Sequence, residues 1–161
     1  ASVAFGGHDG SDRAYSEEFD GTNWAEGDDL NTARDQLAGT GTQTAGLAVG
    51  GSPASVKVEE YNGTSWTEVT DQSVATAYQS ISGIQTAAII AGGETTATVG
   101  ESYTYDGSSF TAVADLSTPR HAASSLGGSA SSTLTLVTAG AGGGVTTEEW
   151  TVAQNIKTIT D

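Results

Sequence analysis

At 161 residues the chain suits a single domain, and 36% apolar residues with 22 glycines give it the turn-rich profile of an all-β protein. Twenty acidic residues against five basic ones leave a formal charge of −15, which repels phosphate backbones and anionic membranes and argues against nucleic-acid partners and membrane insertion. Cysteine is absent, which removes disulfides and thiolate metal sites, and no apolar run approaches the roughly 18 to 20 residues that span a bilayer.

The chain opens at Ala1 inside a strand pattern, so the reading expects a processed or partial piece of a longer polypeptide. Ser2 to Phe5 is a short apolar run stopped by Gly6-Gly7, with a polar loop from His8 to Asp12 behind it. Alternation over Ala14 to Phe19 predicts a strand with Tyr15, Glu17 and Phe19 on one face. Asp20-Gly21 signals a tight turn, and Trp24 starts a short outer strand. The linker from Leu30 to Arg34 then leads into Asp35 to Thr44, the opening strand of a second unit.

That second unit repeats the first. Ala45 to Val69 reads as an apolar run ending in Gly50-Gly51, a strand ending in Tyr61, an Asn-Gly turn, and a third run opened by Trp66. Gly92-Gly93, Tyr105, Asp106-Gly107 and Phe110 restate the pattern, and Leu134 to Trp150 is a degenerate fourth copy in which Ala139-Gly140 stands for the glycine pair. The second glycine falls at 7, 51 and 93 and the ring after the turn at 24, 66 and 110, a period of 42 to 44 residues. The expected organisation is one repeat region over 1–153, divided at about 1–34, 35–78, 79–120 and 121–153, with 154–161 as a tail or closing strand. Each unit offers about four strands. Such sheets, unable to bury both faces alone, stack around an axis as a β-propeller, here with an incomplete first blade. Residues upstream of Ala1 would complete that blade, or the tail with Ile156 and Ile159 would swing round to it.

A linker with Pro119-Arg120 and an apolar pair, a glycine pair after an apolar strand, an aromatic before a turn and Trp after it resemble the kelch repeat. Tyr78 is read as replacing the linker arginine in copy two, and Phe110 replaces the tryptophan in copy three. The Thr-, Ser-, Ala- and Gly-rich wording, with Asn31-Thr32-Ala33-Arg34 and Glu59-Glu60-Tyr61-Asn62-Gly63-Thr64-Ser65-Trp66, is also similar to kelch-like repeats of marine bacteriophage virion proteins. Copper-dependent oxidation, which the wider family implies for some members, needs a Cys and Tyr ligand set that a chain without cysteine cannot assemble.

Most recurring residues read as structural. The pairs Gly6-Gly7, Gly50-Gly51 and Gly92-Gly93 are expected to end inner strands by close backbone approach rather than to cradle an anion. Phe19, Tyr61, Tyr105 and Trp150, with Trp24, Trp66 and Phe110, are expected at equivalent core positions rather than as sugar-stacking platforms. Glu17, Glu59 and Glu148 share a face with these rings, a costly place for charge, so Arg34 and Arg120 are expected to pair with them between blades; a cation-binding channel is the alternative. Asp9, Asp12, Asp28 and Asp29 follow no Ca²⁺-loop spacing, and His8 and His121 occupy unrelated positions, leaving little material for a triad or zinc site. Asn62-Gly63-Thr64 matches a glycosylation sequon but sits on the turn.

The expected function is therefore non-enzymatic, with no cofactor and no metal: a phage virion surface protein such as a fibre, tail or head decoration protein. Its partners would be other virion proteins, further copies of itself, and a host-surface glycan or protein. A secreted bacterial adhesin or carbohydrate-binding propeller is the alternative, with an extracellular location. Candidate contacts are the loops at 8–13, 52–55, 94–98 and 124–132, which differ most between copies, with His8, Asp9, Asp12, Ser52, Ser55, Glu94, Thr95, Ser129 and Ser131 as binding residues.

Overall fold

The computed structural model describes residues 1–53, 55–127, 134–142, 146–151 and 154–159. Among them the secondary structure is all strand. Sheet I holds β1 (Ser2–Phe5), β2 (Ser16–Phe19) and β3 (Trp24–Glu26); sheet II holds β4 (Ala38–Thr42), β5 (Ala45–Val49), β6 (Val58–Tyr61) and β7 (Trp66–Glu68). Sheet III is built from β8 (Ser80–Ile84), β9 (Ala87–Glu94), β10 (Thr98–Tyr105) and β11 (Phe110–Ala112), and sheet IV from β12 (Ser124–Gly127), β13 (Leu134–Thr138), β14 (Thr147–Thr151) and β15 (Gln154–Ile159). Every sheet is an antiparallel meander in chain order, so each strand needs only a short turn to reach its neighbour.

Sheet I has three strands among the described residues, and there β1 pairs with β2 alone. The tail does not join it: β15 pairs with β14, Thr147 opposite Ile159, as the outer strand of sheet IV. The turns before the last strands of sheets I, II and III are closed by side chains. Asp20 Oδ1 accepts the Thr22 and Asn23 amides at 2.7 and 2.8 Å, Asn62 Oδ1 those of Thr64 and Ser65 at 2.9 and 3.0 Å, and Asp106 Oδ1 those of Ser108 and Ser109 at 2.9 and 2.8 Å. Asn62 thus serves the turn.

The glycine pairs repeat one backbone shape, with φ of 67° and 120° at Gly6 and Gly7, 65° and 112° at Gly50 and Gly51, and 64° and 115° at Gly92 and Gly93. A Cβ on Gly50 would run into the Thr76 carbonyl and one on Gly92 into that of Arg120, so close approach and left-handed φ both demand glycine. The following amides, Gly7, Gly51 and Gly93, donate to the carbonyls of Arg34, Thr76 and Arg120 at 3.0, 2.9 and 2.8 Å. This equivalence corrects the alignment of copy two: Thr76, not Tyr78, stands at the arginine position. Tyr78 corresponds to Gln36 and Ala122, which share its φ of 50° to 54°.

The core lies in the seams between successive sheets. Between II and III, Leu47, Val49 and Val58 meet Ala88, Ile90 and Tyr105, and each large aliphatic side chain buried there contributes about 1.5 to 3 kcal/mol. Between I and II, Leu30, Ala48, Tyr61 and Trp66 pack with Val3, Phe5 and Leu37, the Phe5 ring edge-on to Trp66 at 4.7 Å. Ala91, Leu116 and Val137 fill the seam of III and IV. Tyr61, Trp66, Tyr105 and Trp150 are buried and Phe19 and Phe110 half-buried, but Trp24 is 53% exposed, against 4% for Trp66. The expectation of a core position fails at Trp24 because no described sheet covers that face of sheet I.

Two seams also hold buried ion pairs. The backbone of Arg34 lies on sheet I, its amide donating to Arg13 O at 3.1 Å, while its side chain crosses into sheet II. There Nη1 donates to Gly50 O at 2.7 Å and Lys57 O at 2.6 Å, and Nη2 to Glu59 Oε1 at 3.1 Å. Glu59 Oε2 in turn accepts the Asn31 amide at 2.7 Å, so the carboxylate is satisfied from both sides. Burial pushes the Arg34 guanidinium below its usual pKa, and Glu59 opposes that shift. Arg120 repeats the arrangement with Thr146 O at 2.7 Å and Glu148 Oε1 at 2.6 Å, both ion-pair side chains fully enclosed. Glu17, expected in the same network, is exposed and has no arginine beside it among the described residues.

Candidate functional site

The loops that follow the glycine pairs and the residues that follow the linker arginine position meet along one rim. Asp35 exchanges amide and carbonyl with Ser52 at 3.2 and 2.8 Å, Ala77 with Glu94 at 2.9 and 2.8 Å, and His121 with Ala141 at 3.0 and 2.9 Å. One residue further on, the linkers bond to each other: Tyr78 N donates to Gln36 O and Ala122 N to Tyr78 O, both at 2.9 Å. The rim is therefore a backbone track whose path repeats while its side chains change.

At one end of the track the structure brings His8, Asp12 and Asp35 together. His8 Nδ1 lies 3.2 Å from Asp12 Oδ1 and 4.0 Å from Asp35 Oδ2, and Gln36 Nε2 donates to Asp35 Oδ2 at 3.1 Å. The three offer one nitrogen and two oxygens within 4.8 Å of one another. Asp35 Oδ1 is buried and has no hydrogen-bond partner among the described residues. Asp9 sits apart, held by Arg13 Nε at 2.6 Å, and that guanidinium keeps its carboxyl below the usual carboxylate range.

Further along, Ser55 Oγ accepts the Lys57 amide at 3.1 Å, a turn-closing role, and Thr95 Oγ1 donates within its own loop to Ala97 O at 3.4 Å. Glu94 Oε2 lies 3.4 Å from His121 Nε2, whose Nδ1 is 3.1 Å from Thr98 Oγ1. The half-exposed Tyr78 ring stands 5.7 Å from the His121 ring. Ser129 and Ser131 lie outside the described residues.

Sequence reasoning thus found one half of each cluster, His8 with Asp12 and Glu94, and missed Asp35, Tyr78 and His121. A signal was present: 35, 77 and 121 follow the linker arginine position in three units, and aligning the linkers on backbone geometry puts them on the same track. The two histidines hold different places in the repeat yet share this surface. The rim offers imidazoles, carboxylates, hydroxyls and one exposed ring, a set suited to hydrogen bonding and stacking on a polar ligand. A larger groove lies elsewhere, about 510 Å³ between β1 and β4.

No family model matches the chain and no curated protein matches it. Among solved structures it is similar to that of YjhT, at 14% identity and a TM-score of 0.72, over 91% of this chain and 51% of YjhT. The likeness is one of fold. This chain spans about half the length of YjhT.

Proposed function

We propose that the four sheets are blades of a kelch-like β-propeller, or of a large part of one, and that the protein is a non-enzymatic component of a phage virion surface whose rim loops attach to a host surface or to neighbouring virion proteins. The observation that carries this reading is the rim itself, where an invariant backbone track presents different side chains at each repeat. Constant framework with variable loops is what a recognition surface requires. The resemblance of the repeat wording to virion proteins supplies the setting, and multivalent display on a particle turns weak loop contacts into avidity. A charge of −15 keeps such a surface hydrated.

The pairing of exposed Tyr78 with His121 and Glu94 favours a second reading, a secreted carbohydrate-binding or adhesive propeller, since an aromatic face beside polar groups suits a sugar ring. One measurement separates the two: the intact mass of the native chain and of the assembly it is isolated from. Recovery as a subunit of a particle supports the virion reading. A free chain near 16.1 kDa that binds glycans, and loses them on Tyr78→Ala, overturns it in favour of the second.

A further inference from the structure

The chain has two histidines, and the fold places both on the rim, each beside a carboxylate of the neighbouring unit. His8 and Glu94 follow the glycine pairs of sheets I and III, while Asp35 and His121 follow the linker arginines. Asp12 and Thr98 lie opposite His8 and Glu94 across their loops. His8, Asp12 and Asp35 thus hold the same three places as Glu94, Thr98 and His121. At the seam between sheets II and III, Ala77 stands at the third place and offers no ligand.

The two triplets differ in how their atoms converge. His121 has Thr98 Oγ1 at 3.1 Å from Nδ1 and Glu94 Oε2 at 3.4 Å from Nε2, so its two partners meet different nitrogens. His8 presents one nitrogen, Nδ1, to both Asp12 Oδ1 at 3.2 Å and Asp35 Oδ2 at 4.0 Å. One ligand atom from each of the three residues lies within 4.8 Å of the others. Bonds of about 2.0 to 2.2 Å from a tetrahedral zinc ion to imidazole and carboxylate set its ligand atoms roughly 3.3 Å apart. The spacing of His8 and Asp12 matches that edge, and a small rotation of the exposed His8 ring closes the distance to Asp35.

The two carboxylates have no cation of their own. Asp9, in the same loop, takes Arg13, whereas no described lysine or arginine pairs with Asp12 or Asp35. The Asp35 side chain is only 15% exposed, and its Oδ1 is buried with no hydrogen-bond partner among the described residues. A buried carboxylate oxygen is ordinarily matched by a donor or a cation. Gln36 Nε2 donates to Oδ2 and orients the carboxylate, as partners standing behind metal ligands do. We infer that His8, Asp12 and Asp35 form a site for a divalent cation of the zinc class, held by His8 Nδ1 and the two carboxylates. The cation clips the His8–Asp12 loop of sheet I to the linker of the next unit. An imidazole among so few ligands selects zinc over calcium, whose sites take about six to eight oxygens. Three protein ligands on an exposed rim leave the fourth position to water or to an oxygen of a rim ligand. The site is independent of the virion reading.

Calorimetric titration of zinc chloride into the intact chain is expected to give one site. His8→Ala and Asp35→Asn should each weaken binding about tenfold or more, at least what the loss of an outer partner of a metal ligand costs. His121→Ala should leave it unchanged. Zinc at saturation should raise the melting temperature of the wild type and not that of His8→Ala. A measurement on the unaltered chain decides the matter even where a variant fails to fold: zinc should shift the His8 imidazole proton signals in the NMR spectrum and leave those of His121 in place. Absence of binding at millimolar zinc, binding indifferent to His8→Ala, or movement of the His121 signals instead overturns the inference. So does an equal response to calcium chloride, which would show diffuse attraction to an acidic surface rather than a site built around an imidazole.

Discussion

The seam between sheets I and II and the seam between II and III solve one packing problem in two ways. In the first, Arg34 reaches across to Glu59 and both are fully enclosed. In the second, both members change together: Thr76 stands at the arginine position and Tyr103, paired with Ile90 as Glu59 is with Ala48, stands at the glutamate position. The uncharged seam is the one with six buried apolar residues. Counted among the described residues, the charged seams have smaller apolar clusters, and they add ion pairs ringed by backbone donors and acceptors. The lesson is that this repeat tolerates either both charges or neither, since a single buried charge costs far more than a pair.

Removing one partner should therefore give the largest effect. Arg34→Met leaves Glu59 buried beside the Asn31 amide without a cation and strips Gly50 O and Lys57 O of a donor. A loss of about 3 to 5 kcal/mol is expected by chemical denaturation. A loss below about 1 kcal/mol would break the comparison, because the pair would then be dispensable without compensation. Ile90→Ala in the uncharged seam comes next, at about 2 to 4 kcal/mol, since Ile90 is fully buried among Leu47, Val49 and Val58. Here the mechanism is a cavity, so the loss should be insensitive to salt and pH.

A third element joins both seams and is expected to act more weakly. Tyr61 OH donates to Glu18 across the first seam, and Tyr105 OH to Glu60 across the second at 2.9 Å. Burial, helped by the Glu18 bond, pushes the Tyr61 phenol from 10.0 up to about 12, and burial raises Tyr105 as well. A raised phenol pKa means that the folded state holds its proton more tightly. The stabilisation is full below about pH 10 and is lost as pH rises towards 12. Tyr61→Phe should cost about 1 kcal/mol at neutral pH and flatten the alkaline limb of the stability profile. An unchanged limb would show that the Tyr61 phenol, raised chiefly by its burial, is not what makes stability fall at high pH.

The repeat frame was legible because its devices are local. Gly50-Gly51, the Asn62-Gly63 turn and the Tyr61–Trp66 ring pair lie within a few residues of the strands they shape. The pairing chemistry of Arg34 with Glu59 followed from scarcity of cations and a shared strand face. What was not legible depends on contacts between units. Asp35 joins His8 only because a linker folds back 27 residues later, and Trp24 looks like Trp66 in sequence but is covered by none of the described sheets. Tyr78 was misaligned because residue type guided the comparison, whereas the carbonyl that Gly51 binds belongs to Thr76. Ranking by backbone role would have separated Thr76 from Tyr78, but no sequence feature records which carbonyl a glycine amide will meet.

The smallest expected net effect is also the sharpest test. Arg34→Thr with Glu59→Tyr copies the residues of the second seam into the first, and the two changes belong to one hydrogen-bonded unit. In a double-mutant cycle the pair should be more stable than the sum of the single changes predicts by at least about 1 kcal/mol, because the double change leaves no buried charge unpaired. Some loss will remain, since the Asn31 and Thr32 amides give up the Glu59 carboxylate at 2.7 and 3.4 Å and must turn to solvent. Strict additivity would mean that Arg34 and Glu59 contribute separately. The joint replacement at Thr76 and Tyr103 would then be two unrelated substitutions rather than one alternative way of closing the seam.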